Sequence, residues 1–180
     1  MSILTSRSAG FCAVIIPLLE AQNKPQIGVS RQKLAKVLEY TIQEPLQVNF
    51  GDQMTLLGYD LASLTVRQGE ALHLTLYWQA RKKMDKDHTV FTHLLDDKKQ
   101  IWAQKDSQPL GGDYPTSIWD VGEVIKDDYE LVVKADAPTG EYQIEMGMYE
   151  LATGQRLPIL DEEGLPQRDR VLIRNIIVHR

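Results

Sequence analysis

Four histidines, a scatter of carboxylates and three aromatic residues are the side chains best able to do chemistry here, and their spacing limits what each can do. His88 and His93 lie five residues apart in one predicted strand, so their rings point to opposite faces and share a metal only across a bulge. His73 and His93 are left as a pair that could meet across strands, without a carboxylate placed beside them. The sequence holds no HExxH, no nucleophile elbow and no Walker loop. The bland reading of a histidine packed or hydrogen-bonded inside the fold is preferred. No catalytic residue, no metal and no cofactor is expected.

Carboxylates are frequent, among them Asp96, Asp97, Asp106, Asp113, Asp120, Glu123, Asp127 and Asp128. A glycosidase would need two of them flanking a sugar-sized cleft, a geometry that sequence does not show. Most read as solvated turn residues. Several oxygen ligands on one loop would suit a structural calcium ion, but the twelve-residue calcium-loop signature is absent. The aromatic residues carry the sharper hypothesis. Trp102 alternates out of phase with Ile101 and Ala103, and Tyr114 and Trp119 fall in a long irregular stretch, Asp106 to Gly122. Exposed aromatics on a rim stack on sugar rings. The candidate ligand-binding set is therefore Trp119, Tyr114, Trp102, Asp113, Asp120 and Glu123. The opposing reading makes Trp119 and Tyr114 a plug for the open end of the fold.

The elements that would position these residues have a period of two from residue 46 onward. In residues 70–80, EALHLTLYWQA, Leu72, Leu74, Leu76 and Trp78 share one face and His73, Thr75 and Tyr77 take the other, as in a half-buried antiparallel strand. Similar runs occupy 54–61, 89–95, 100–104, 123–133, 141–149 and 171–178. In the run 141–149, Tyr142, Ile144, Met146 and Met148 oppose Glu141, Gln143 and Glu145. Turn signals separate the runs: Arg67-Gln68-Gly69, the charged stretch 96–99, Pro138-Thr139-Gly140 and Thr153-Gly154. Short strands divided by polar turns, with no helix between them, predict an all-β fold: an antiparallel β-sandwich, immunoglobulin-like or jelly-roll. Leu74, Leu76, Trp78, Tyr142, Ile144 and Met146 are expected in its core. A stretch as long as 106–122 in a compact domain is expected to be functional or structural in its own right.

The first 44 residues differ. They carry five basic and three acidic side chains, against fifteen and twenty-two in residues 45–180, so a slightly basic lead precedes a domain of net charge -7. That balance disfavours nucleic acid, which needs clustered Lys and Arg. The one cysteine, Cys12, lies in the lead and excludes an intrachain disulfide. Ser30–Tyr40 has Leu34, Val37 and Leu38 at helical spacing behind a serine suited to cap it, and Pro45 blocks any continuation. The apolar run 11–19, broken by Pro17, is too short to span a bilayer, which takes about 20 apolar residues. Three readings stand for it: a weak signal segment, the remnant of a membrane helix, or a locally packed segment. Two regions follow, a lead-in over 1–44 and a sandwich domain over 45–180.

Five segments together resemble one family: LLGYDL (56–61), LYW (76–78), VFTHLLD (90–96), DYPTSIWDVGEVIKDDYEL (113–131) and PTGEYQIEMGMYELATGQRLPI (138–159). The family is the C-terminal β-sandwich module of bacterial multi-spanning glycosyltransferase-like proteins related to dolichyl-phosphate-mannose protein mannosyltransferases. The resemblance covers about residues 46–178, and its most specific element is YPTS-x-W-x-x-GE-V. It implies a module that follows the last membrane helix, faces the extracytoplasmic side and carries no catalytic residues. The membrane portion is missing from this sequence, and the run 11–19 resembles the end of that helix. The expectation is thus a non-catalytic accessory module beside a membrane glycosyltransferase, scaffolding or weakly binding glycan or cell-envelope material, with membrane proximity through 11–19. Two rivals are a structural domain that docks on a protein partner and a glycoside hydrolase with an acidic cleft.

Overall fold

Alternating apolar and polar side chains bury only one face of a strand, so the strands of such a chain must pair into sheets and press those faces together. The computed structural model describes residues 40–180; the expected helix Ser30–Tyr40 and the apolar run 11–19 fall outside them, save Tyr40 itself. Among the described residues eleven strands are formed, β1 (Glu44–Phe50), β2 (Met54–Leu61), β3 (Thr65–Arg67), β4 (Ala71–Ala80), β5 (His88–Leu95), β6 (Ile101–Ser107), β7 (Val124–Val132), β8 (Gly140–Glu150), β9 (Ile159–Leu160), β10 (Pro166–Arg168) and β11 (Val171–His179). They make a six-stranded sheet in the order β10-β9-β1-β2-β4-β7 and a five-stranded sheet in the order β3-β11-β8-β5-β6. The fold is an all-β sandwich. One pairing departs from the antiparallel expectation: β3 runs parallel to β11, with Val66 opposite Val178.

The inner faces are those that the alternation marks. Leu72, Leu74, Leu76 and Trp78 of β4 are buried against Tyr142, Ile144, Met146 and Met148 of β8 and Val90 and Leu94 of β5 in one core. Phe50 meets the Trp78 ring edge-on at 5.5 Å. Trp78 Nε1 has no hydrogen-bond partner, a cost that its ring burial must exceed. Tyr77, on the outer face of β4, is buried as well, and its hydroxyl donates to the Asp60 carboxylate at 2.7 Å.

Several elements escape the alternation. Strand β1 begins at Glu44, where the sequence reading placed the domain start at 45, and β3, β9 and β10 are two or three residues long. Within the long stretch, two 3-10 turns form, Pro109–Gly112 and Thr116–Ile118.

Leu76 and Ile144 face each other's sheets at zero exposure. Truncating either to alanine is expected to cost about 2–5 kcal/mol in denaturant unfolding. A loss below about 1 kcal/mol at both positions would contradict their placement in the core.

Candidate functional site

The stretch between β6 and β7 is built from its own side chains. Thr116, fully buried, is bound three ways: its hydroxyl donates to the Lys86 carbonyl at 3.0 Å and accepts from the His88 backbone N–H at 3.0 Å, and the His88 Nδ1 lies 3.1 Å away. Trp119 is also fully buried, and its indole N–H donates to the Tyr114 carbonyl at 3.0 Å. The Tyr114 hydroxyl donates to Glu123 at 2.9 Å, and Glu123 accepts the Asp120 N–H at 2.9 Å through its other oxygen. The carboxylate that receives the Tyr114 proton donor raises that phenol's pKa above its ordinary value. Residues 114–123 thus form one interlocked turn seated on the sandwich.

This geometry removes Trp119 from the ligand-binding set. An indole with no exposed surface stacks on nothing outside the fold, and the side chain closes the end of the core instead. Trp102 does not join the others either. Its carbonyl accepts from Lys134 beyond the end of β7, whereas Glu123 precedes the start of that strand. Nine strand residues separate the two ends, about 30 Å at 3.3 Å per residue. Trp102 is half-buried, donates to Asp96 at 2.9 Å and lies under the Lys134 ammonium, 5.5 Å from the ring centre. Asp113 and Asp120 are exposed, and Tyr114 and Glu123 are partly so. Of the six, Trp119, Tyr114, Glu123 and Asp120 are joined to one another by hydrogen bonds, and Trp102 and Asp113 stand outside that set.

The histidines separate in the same way. His88 faces the core and His93 the outside of its sheet, as their odd spacing requires. The sequence left His73 and His93 as a possible pair, and the structure corrects this: they lie on the outer faces of different sheets, with the core between them. Among the described residues, no group of three or more His, Cys, Asp or Glu is placed to hold a metal ion.

A site that the sequence reading missed lies where the two sheet edges meet. Strand β7 ends the six-stranded sheet and β6 ends the five-stranded one. Between them runs a groove of about 740 Å³, lined by His73, Thr75, Gln104, Lys105, Ser107 and Glu130 and floored by Asp127 and Tyr129. Asp127 is an acidic residue on the inward phase of β7, opposite Leu76. It is buried, accepts the Tyr129 hydroxyl, and accepts the Leu110 N–H at 2.9 Å. That second bond holds Leu110 in the left-handed region (φ 53°), with Gly111 and Gly112 continuing at positive φ. Only glycine enters this region freely, so the Asp127 bond offsets the strain at Leu110. Loss of water around the carboxyl raises its pKa to about 6, despite the two donors. An inward-phase aspartate in the run KDDYEL was the available signal.

Among the described residues the other buried carboxylate is Glu145, on the outer face of the five-stranded sheet. It takes Arg170 at 2.9 Å and Arg156 at 3.3 Å, and the Arg156 guanidinium lies 4.1 Å from the Phe91 ring centre. Glu145 and Asp127 lie on different sheets and do not make a pair across a cleft. Among the described residues no helix is long and apolar enough to cross a membrane.

The sequence matches no family model and no curated protein. Among solved structures the chain is similar to the C-terminal domain of wzt, at 12% identity over 71% of this chain and 74% of that one, with a TM-score of 0.49. It is also similar to a beta-glucuronidase from glycoside hydrolase family 2, at 11% identity over 57% of this chain and 11% of that one, with a TM-score of 0.40. Overlaps of this extent say nothing of what the chain binds.

Two outcomes test these placements. Trp119→Ala is expected to lower stability by about 3–5 kcal/mol, as loss of a core ring does, measured by denaturant unfolding. Asp127 sets a pH dependence whose sign follows from its raised pKa. The folded state holds its proton up to about pH 6, whereas the unfolded chain releases it near the ordinary aspartate value of about 4. The group's contribution is therefore fully favourable below pH 4 and declines as pH rises to 6. Asp127→Asn removes this decline, so its stability relative to the native chain should rise by about 2–3 kcal/mol between pH 4 and 7. A pH-independent difference between the two proteins would contradict the assignment.

Proposed function

We propose that the sandwich is a non-catalytic accessory module of a membrane glycosyltransferase-like assembly, placed on the extracytoplasmic side, and that it holds glycan weakly in the groove between β6 and β7. The observation that supports glycan as the ligand is the groove's lining. Gln104, Lys105, Ser107, His73 and Glu130 offer both donors and acceptors along an open channel, which suits the dense hydroxyls of a saccharide better than an apolar ligand. The absence of an aromatic rim argues for weak binding, with Kd on the order of 0.1–1 mM. The non-catalytic reading is supported by the two buried carboxylates, each of which is committed to bonds that hold the fold. The family resemblance supports the setting. Its most specific segment, residues 114–124, forms the interlocked turn, so its residues serve the fold and leave ligand contacts to the groove.

A second reading, docking on a protein partner, is favoured by Ile118 and Val121, which are 49% and 62% exposed on either side of the buried Trp119. Titration with a panel of envelope oligosaccharides, followed by backbone NMR, separates the two. The groove reading expects shifts at Gln104, Lys105 and Ser107, and expects Lys105→Ala and Gln104→Ala to weaken binding about threefold or more while leaving Tm unchanged. Shifts confined to Ile118–Val121 on adding a partner, with no oligosaccharide bound, would replace it with the docking reading.

A further inference from the structure

Gly111, in the turn Pro109–Gly112, forms part of the groove lining beside Asp127 and Asp128. Pro109 is buried and anchors the start of the turn, whereas Leu110 is 44% exposed and gains little from packing. A Cβ placed at Gly111 or Gly112 would meet nothing within 4 Å, so the turn stands in open space beyond Pro109. Its own bonds run from the Gly112 N–H to the Gln108 carbonyl at 3.1 Å and from the Asp113 N–H to the Leu110 carbonyl at 3.3 Å. Among the described residues, the hydrogen bond that joins it to β7 is the one from the Leu110 N–H to Asp127 Oδ1 at 2.9 Å. The conformation held by that bond is left-handed at a leucine, which is uphill without it. A segment with little packing and one strained tie opens more readily than the sheet beneath it.

The Asp127 carboxyl sets how firm the tie is. When it is ionised, Oδ1 accepts from Leu110 and Oδ2 from the Tyr129 hydroxyl. In the neutral acid Oδ1 still accepts the Leu110 N–H, and the proton on Oδ2 points to the Tyr129 oxygen. Loss of water outweighs both bonds and brings the pKa to about 6. Opening of the turn readmits water to the carboxyl and returns it toward the ordinary value of about 4. The closed turn therefore binds the proton more tightly than the open one, and opening becomes easier as pH rises through about 6. The titratable groups around the carboxyl are Asp128 and Tyr129 on β7, Lys105 and Asp106 on β6, and His73 and Glu130 at the groove's lip. The inward side chains of β4 are apolar, and His88, the inward histidine of β5, is bonded to Thr116. The turn itself brings no charge before Asp113.

We propose that the turn Pro109–Gly112 is a flap at one end of the groove, latched by the hydrogen bond from the Leu110 N–H to Asp127, and that its opening lengthens the channel a ligand occupies. Closed, the turn places Gly111 in the groove wall. Open, it withdraws that part of the wall, and a longer chain reaches past Asp127. The flap stands on the strained turn and its tie to β7; that the chain it admits is a glycan rests on the reading given above.

The test follows amide hydrogen exchange by NMR in the full chain at about pH 5, 6 and 7, each rate divided by that of an unstructured amide. The Leu110 amide is expected to be less protected than the core amides of Leu74 and Ile144. Its protection is expected to fall about tenfold from pH 5 to pH 7, as a carboxyl that moves between about 6 closed and about 4 open requires. In Asp127→Asn, whose side-chain oxygen still accepts but does not titrate, the fall is expected to vanish. A pH effect carried by His73 or Glu130 would persist in that variant. In a second arm, cellotetraose is expected to bind about threefold more tightly at pH 7 than at pH 5, and cellobiose equally at both. Leu110 protection that equals the core's, does not change with pH, or falls alike in both proteins would overturn the latch. An equal pH response of the two saccharides would overturn the lengthening of the channel. The exchange arm needs no sugar, so it decides the latch even where neither saccharide binds, a result that would remove the glycan reading alone.

Discussion

Closure of the sandwich at the β4–β5 end depends on Thr116. Two strands entering different sheets, β4 and β5, are joined there by a loop of charged residues, 81–87, that has little apolar surface of its own. A threonine from a distant turn supplies the missing organisation, with one hydroxyl binding the loop at Lys86 and the first residue of β5 at both its backbone and its ring. Once Thr116 is seated, Trp119 three residues on falls over the core, and its backbone carbonyl becomes a fixed point for Lys83. The hydroxyl is wholly buried, so losing it would leave the Lys86 carbonyl and the His88 N–H without partners in a place that water does not reach.

The opposite constraint operates on β7. This strand lies at the edge of its sheet, where unpaired backbone groups invite association with other chains. The turn Pro109–Gly112 is tied to it through Leu110 and Asp127. An aspartate in the inward phase is costly in itself, because burial strips water from its carboxylate, and the same burial raises its pKa. What it stabilises is a left-handed run that brings the chain back over the sheet edge and leaves the groove open beside it. The groove and its acidic floor arise from one compromise.

The groove and the β4–β5 loop differ in the way their charge is organised. The groove carries His73–Glu130 and Lys126–Asp128 pairs at its outer lip, both well exposed and worth little individually. They leave the channel polar without a strong net field. The β4–β5 loop concentrates lysines, of which Lys83 is bonded to the Trp119 carbonyl and Lys86 to Glu150. A domain of negative net charge repels anions at long range, but screening over about 8–10 Å lets a local cluster dominate at its own surface.

Much of this architecture was legible in residue order. The two-residue period in 70–80 and 141–149 determines which side chains of β4 and β8 meet in the core, because adjacent side chains on a strand must point to opposite faces. The same rule separated His88 from His93. Strands β3, β9 and β10 carry too few residues for a period to register, and the parallel pairing of β3 with β11 joins segments more than a hundred residues apart. Sequence alone also read 106–122 as a stretch with a purpose and offered both a plug and a ligand platform for Trp119. Tertiary structure decided between them, because exposure belongs to the packed chain and not to the residue type. It likewise placed Trp102 at the far end of β7 from Glu123 and brought Asp127 and Lys105 to one groove. Periodicity acts between neighbours along one strand, whereas a site forms where edges of two sheets meet, and that meeting is fixed only when the whole core closes.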